Sequence, residues 1–208
     1  VEEVEPNDSS AEATPTGGAD VVLRGDVYGN GDVDLWSFTA AAGDRVYAAV
    51  QTSFSASGSV DSVLTLLGTD GSTVLETDLD DGSFGTTSSS LAGTIVPAAG
   101  TYFLEVRHNS ATGQLRPYHL HLKVQSGAAT AEVEPNDSTA TAQPLPASGW
   151  IEGATSVTTD VDFYSIALDA GDTVFLSLDL DPERDSTTWN GRVGLGAFTG
   201  FVLLVNDA

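Results

Sequence analysis

The chain has no cysteine, no methionine and a single lysine, Lys123. Without cysteine there is no disulfide staple and no thiolate chemistry. Only 7 Lys and Arg residues stand against 30 Asp and Glu, a formal net charge of −23. Phosphate recognition needs clustered basic side chains, so nucleic acid is excluded as a partner. No apolar run approaches the roughly 18 residues that a membrane-spanning helix needs, so no membrane span is expected. The missing methionine, initiator included, fits a processed piece of a longer precursor, which makes an extracellular or cell-surface location the expectation. An acidic surface of this kind suits either a calcium-rich extracellular medium or high salt, where self-repulsion is screened. The composition fits both.

What is present is a repeat. The heptad Glu3-Val4-Glu5-Pro6-Asn7-Asp8-Ser9 returns, 129 positions later, as Glu132-Val133-Glu134-Pro135-Asn136-Asp137-Ser138. After each come an Ala/Thr/Pro-rich stretch, a glycine (Gly25, Gly153), an Asp-Val-Asp before an aromatic pair (Asp32 to Trp36, Asp160 to Tyr164) and an Ala-Gly-Asp (Ala42 to Asp44, Ala170 to Asp172). From the glycines onward the offset is 128, so one residue has been lost between them. A length of 208 residues permits one or two domains, and the repeat favours two: residues 1–126 and 127–208.

Short alternating runs bounded by Gly, Asn, Asp and Ser predict strands. In the first domain these are Val21–Tyr28, Asp34–Thr39, Arg45–Thr52, Val60–Leu67, Thr73–Thr77, Leu91–Val96, Thr101–Arg107 and Tyr118–Val124, with Asp70-Gly71 as a tight hairpin turn and Ser10–Thr14 as a possible single helical turn. Period-2 reading points Trp36, Phe38, Val46 and Ala48 inward, and packs Tyr102, Leu104 and Val106 with Tyr118, Leu120, Leu122 and Val124. Glu105, Arg107, His119, His121 and Lys123 are then expected on one outer face, on adjacent antiparallel strands. The second domain repeats the opening with Phe163–Leu168, Thr173–Asp179, Val193–Phe198 and Phe201–Val205. The expected fold is all-β: two tandem jelly-roll-like antiparallel β-sandwiches, the second lacking its C-terminal strands.

With that order of motifs in view, the chain resembles the bacterial pre-peptidase C-terminal domain family, a β-sandwich module of secreted peptidases and other exported proteins. The resemblance rests on Glu5-Pro6-Asn7-Asp8, Asp34-Leu35-Trp36-Ser37-Phe38, Ala42-Gly43-Asp44, Asp70-Gly71, Ala99-Gly100-Thr101-Tyr102 and Tyr118-His119-Leu120. It covers nearly all of the first domain, and the second as far as Asp207. Related members are the collagen-binding domains of clostridial collagenases, whose acidic N-terminal segment and an Asp before the aromatic strand coordinate calcium. Carried across, the resemblance implies Glu3, Glu5, Asn7, Asp8 and Asp34 as Ca2+ ligands, with Glu132, Glu134, Asn136, Asp137 and Asp162 in the second domain. Where that subfamily has a further Asp three residues before Asp34, this chain has Gly31, with Asp32 one place later; Asp32 and its counterpart Asp160 complete the candidate set. Where the clostridial binders carry a leucine and two tyrosines, this chain has Glu105, Arg107 and Asn109, so collagen is not an expected ligand.

The residues support the same chemistry on their own terms. Calcium takes six to eight oxygens, and four acidic or amide donors packed into six residues, twice, supply them; the competing reading is a solvated acidic linker. His119 and His121 with His108 fall short of a zinc site and read as an exposed polar face. The pairs Asp80-Asp81 and Asp179/Asp181 read as loop charge, and Trp189, between Arg184 and Arg192, as a cap on the sandwich edge. No nucleophile–histidine pattern suggests an enzyme. The expected function is a non-catalytic, calcium-binding accessory module of a secreted enzyme or surface protein, partnered by neighbouring domains. The alternative is a structural subunit of an extracellular filament or surface assembly, in which neighbouring copies lend strands to the incomplete sandwich.

Overall fold

The alternating runs become strands throughout, and the described residues contain no helix. The computed structural model describes residues 1–52, 61–80, 87–155, 157, 160–180, 191–197 and 202–207, the last of these as backbone. Two units emerge: Val1–Ser126 with Ser177–Gly191, and Gly127–Leu176 with Arg192–Asp207.

The first unit holds β1 (Thr14–Pro15), β2 (Asp20–Val27), β3 (Asp34–Ala40), β4 (Arg45–Gln51), β5 (Ser62–Leu67), β6 (Val74–Asp78), β7 (Ser90–Ile95), β8 (Gly100–His108) and β9 (Leu115–Gln125). Each of the eight expected strands is present with its ends slightly moved; Val60, the expected start of β5, lies outside the described residues. One sheet has the order β1-β3-β8-β5-β6 and the other β2-β9-β4-β7. Their facing sides bury Trp36, Phe38, Leu64, Tyr102 and Leu104 against Val46, Ala48, Tyr118, Leu120 and Leu122. Each such large side chain contributes about 1.5–3 kcal/mol on burial, so this interior is what holds the two sheets together.

Three expectations are corrected here. The segment Ser10–Thr14 is not a helical turn: a lone bond from Glu12 N to Ser9 O at 3.0 Å makes a reverse turn, and Thr14 instead begins β1, parallel to Trp36–Ser37 of β3. Asp70-Gly71 sits in a hairpin wider than a two-residue turn, closed by Gly68 N to Thr73 O at 2.7 Å, with Asp70 Oδ1 accepting from the amides of Ser72 and Thr73. The third concerns β8 and β9, which are not neighbours. β8 pairs with β3 and β5, whereas β9 pairs with β2 and β4. Residues 109–114 therefore carry the chain from one sheet to the other, and Glu105 and Arg107 are separated from His119, His121 and Lys123. Arg107 pairs along its own strand with Glu105 at 3.6 Å. His121 is buried rather than exposed, because β9 is a central strand with Val22 of β2 and Ala49 of β4 in register with it on either side. Nor is the outer face of the five-stranded sheet uniformly wet, since Leu35, Leu67 and Phe103 are buried there beside Ala13 and Val33.

The second unit holds β10 (Thr130–Ala131), β11 (Gln143–Pro144), β12 (Ile151–Glu152), β13 (Tyr164–Ser165), β14 (Arg192–Gly196) and β15 (Val202–Asp207). β10–β12 and β11–β13 are short parallel pairs, and β14–β15 is an antiparallel hairpin with a register shift at Leu195/Gly196. Phe198 and Phe201 lie outside the described residues. The expected strand Phe163–Leu168 contracts to β13, and Thr173–Asp179 forms no strand. The cause is missing partners: β3 has β8 along it and β4 has β9 and β7, but among the described residues the second unit has no counterpart of β8 or β9. Ile166 and Leu168 are accordingly exposed.

Candidate metal centre

The N-terminal residues reach the site by stitching the two sheets along one side of the first unit. Arg24 N donates to Val1 O at 2.8 Å and Glu3 N to Arg24 O at 3.1 Å, so the chain begins as a parallel edge on β2. It then crosses to the other sheet, where Leu35 N donates to Asn7 O at 3.0 Å and β1 lies along β3. Thr14 Oγ1 fixes the crossing by accepting from Val4 N at 3.0 Å. The Glu5–Pro6 peptide within it is cis.

This path brings Glu3, Glu5 and Asp34 together, with one carboxylate oxygen of each within 4.8 Å of the others. Glu3 Oε1 accepts from Asp26 N at 2.9 Å and Glu5 Oε2 from Asn7 N at 3.1 Å. The remaining polar atoms are unmatched. Asp34 and Asn7 are both fully buried, and neither oxygen of Asp34, neither side-chain atom of Asn7, nor Glu3 Oε2 has a hydrogen-bond partner. Burial pushes the Asp34 acid up to about 9, with the Glu3 charge adding to it. Burial raises Glu3 as well, and burial followed by the Asp32 charge raises Glu5.

Below them the fully buried Tyr118 hydroxyl accepts from Trp36 Nε1 at 2.8 Å. Gly25 makes room: a Cβ there would lie 2.4 Å from Tyr118 Oη and 2.5 Å from Glu3 Oε2. Buried, unpaired carboxylates cost several kcal/mol each unless they are protonated or neutralised by a cation. The donors are all carboxylate or amide oxygens, with no imidazole or thiolate among them, which fits a hard cation such as Ca2+ and not zinc.

Asp8 and Asp32 stand outside this triad. Asp8 Oδ1 accepts from Val33 N at 3.3 Å, and Asp32 Oδ2 accepts from Tyr28 N. Asp32 also lines a cleft of about 160 Å3, with Val27, Arg107, His108 and Ser110 among its other walls.

In the second unit Glu132, Glu134 and Asp162 converge to within 4.8 Å, and Glu134, Asp137 and Asp160 do the same, so the counterparts of Asp8 and Asp32 join the cluster there. Its scaffolding parallels the first: Glu132 N donates to Glu152 O at 3.0 Å, Phe163 N to Asn136 O at 3.0 Å, Asn136 N to Glu134 Oε2 at 2.8 Å, and Ala154 N to Glu132 Oε1. Asn136 is fully buried with both side-chain atoms unmatched, and Asp162 Oδ1 is unmatched too. Burial, then the Glu132 charge, raises Asp162. Glu134–Pro135 is cis.

Among the described residues no histidine joins a cluster of converging metal-ligand side chains. Burial lowers the pKa of His119 and of His121. Of the acidic pairs, Asp81 and Asp181 lie outside the described residues, as do Arg184, Trp189 and Asn190. Tyr118, Gly25, Tyr164 and Gly153 were not singled out as site residues from the sequence, although the two glycines stood at matching places in the repeat.

Residues 32–108 match the family described as the bacterial pre-peptidase C-terminal domain, a stretch that opens at Asp32 and closes with β8. A probable subtilase-type serine protease of Deinococcus radiodurans is 37% identical over 107 residues, which is 51% of this chain and 14% of that protein's length. Among solved structures, the pre-peptidase C-terminal domain of collagenase from Bacillus anthracis is similar at 16% identity and TM-score 0.41, over 58% of this chain and 100% of that one. A periplasmic inhibitor of g-type lysozyme from Aeromonas hydrophila, PliG, is similar at 18% identity and TM-score 0.39, over 54% and 96%.

Proposed function

We propose that the chain is a non-catalytic, calcium-binding accessory module, built as a tandem repeat and carried by a secreted, extracellular enzyme or surface protein whose neighbouring domains it positions. The observation that carries this reading is the set of buried, unmatched oxygens of Glu3, Asn7 and Asp34 beside Glu5. Such a set has no purpose in a solvated linker, and a divalent cation satisfies all of it. The family match over residues 32–108 and the similarity to a subtilase-type protease support an accessory role.

Glu3, Glu5, Asn7 and Asp34 would hold one ion, and Glu132, Glu134, Asn136 and Asp162, with Asp137 and Asp160, the other. Bound calcium would supply charge neutralisation that pins each acidic segment to its sandwich. Extracellular modules bind calcium with dissociation constants of about 10⁻⁴ to 10⁻³ M, so millimolar calcium adds roughly 0.5–2 kcal/mol. That is enough to order a joint and too little to make the fold. The test is calorimetric unfolding in EDTA and in millimolar calcium. The expected result is an upward shift of several degrees (about 2–8 °C) with calcium, and an unchanged transition would reduce the heptads to linkers.

A second reading, a structural subunit whose second unit accepts strands from neighbouring copies, draws on the exposed Ile166 and Leu168 that follow β13, a strand that among the described residues pairs with β11 alone. Analytical ultracentrifugation that finds only monomer at high protein concentration rules it out.

A further inference from the structure

Each acidic cluster has an aromatic hydroxyl beneath it, and the two hydroxyls come from different strands. In the first unit the phenol belongs to Tyr118 of β9. It and Glu3 Oε2 both fall within 2.5 Å of the point where a Cβ on Gly25 would stand. In the second unit the matching glycine is Gly153, and its Cβ would stand 2.7 Å from Glu132 Oε2 and 2.7 Å from the hydroxyl of Tyr164. Tyr164 occupies the repeat position of Trp36. Trp36 cannot reach the carboxylate with an acceptor-seeking hydroxyl and instead donates its indole N–H to Tyr118. Tyr164 donates directly to Glu132 Oε2 at 3.0 Å.

From this geometry we infer that Tyr164 is the positioning residue of the second acidic cluster, supplying from β13 the phenol hydroxyl that Tyr118 supplies from β9 in the first. The same chemical group thus stands at the same glycine although its strand of origin has changed. The consequence is specific: among the described residues, the second cluster is oriented by residues between Thr130 and Ser165. A hydroxyl that donates to one oxygen of Glu132, while Ala154 N holds the other, fixes the carboxylate plane before a cation arrives. It thereby lowers the ordering cost of binding.

The inference rests on the calcium reading, and one experiment separates the two. Calcium is titrated calorimetrically into the full 208-residue chain, wild type and Tyr164→Phe, with Glu3→Gln and Glu132→Gln marking which binding event belongs to which cluster. Melting in EDTA is recorded for each protein. The expected result is two binding events in the wild type. In Tyr164→Phe the event removed by Glu132→Gln weakens about tenfold, as the loss of a hydrogen bond to a charged group predicts. The event removed by Glu3→Gln is unchanged, and so is the melting in EDTA. Equal binding by Tyr164→Phe and wild type overturns the positioning role and leaves the calcium reading intact. So does a variant whose only change is lower melting in EDTA, or a wild type whose uptake is untouched by Glu132→Gln. A wild type that takes up no calcium overturns both.

Discussion

Asp34 lies in the protein interior, and its acid is raised from 3.8 to about 9 by burial and by Glu3. Between those two values the metal-free folded chain holds a proton that the unfolded chain has released. Stability therefore falls as pH rises through this window, the contribution being whole only below the unfolded value. A bound calcium ion would require the ionised form, so any stabilisation by calcium is expected to grow with pH over the same range. In EDTA, Asp34→Asn, which replaces a protonated acid by a neutral amide of the same shape, is expected to melt at or above the wild type at about pH 7 and to show a shallower fall between about pH 5 and pH 8. In calcium it is expected to lose the first cluster's share of the shift. Scanning calorimetry at several pH values checks this, and a variant that melts well below wild type in EDTA would show that the carboxylate is needed even without metal.

The acidic segments are edge strands as well as carriers of converging carboxylates, and they show what was legible in the sequence. Pairing of Val1–Glu3 with β2 and of β1 with β3 covers one edge of each sheet, a place where an open strand invites association. Hydrogen exchange in calcium is expected to slow at the amides of Glu3, Arg24 and Leu35, and at Glu132 and Phe163, each donor or acceptor in these stitches, with no change at Val46 or Leu122 inside the sandwich. Uniform slowing across all of them would mean that calcium acts on global stability alone. The strands and the inward faces were readable because Trp36, Phe38, Tyr102 and Tyr118 keep strict period two. The separation of β8 from β9 was not. Asn109, Ser110 and Gly113 make as good a hairpin turn as a crossing between sheets, and only the partners on the far sides decide. That Glu3 and Glu5 converge could be read from their alternate spacing, whereas the place of Tyr118 could not, since a phenol that is 82 residues from Trp36 reaches it through the fold alone.

Among the described residues the two units bury their apolar side chains to very different degrees. The first has a continuous two-sheet interior, whereas the second shows two short parallel pairs and one hairpin, with Ile166 and Leu168 each 45% exposed. Stability that scales with buried apolar area puts the second unit lower, so thermal or urea unfolding of the chain is expected in two steps, the second unit first. Limited proteolysis should then leave a fragment ending near Ser126. A single cooperative transition with no resistant fragment would contradict this. One feature of the first unit bears on how it would carry load. Val1 donates to Val22 O at 3.2 Å and Val124 N to Ala19 O at 2.7 Å, so the chain comes in and leaves at the same end of β2. Tension applied through the two ends acts across the strands and not along them. It peels the first residues off β2 one hydrogen bond at a time, the low-force direction, until it meets Glu3 and Glu5. A cation gripping those carboxylates and Asp34 would stand as a bolt in the path of the zipper, making the force at which the module opens a function of the calcium around it.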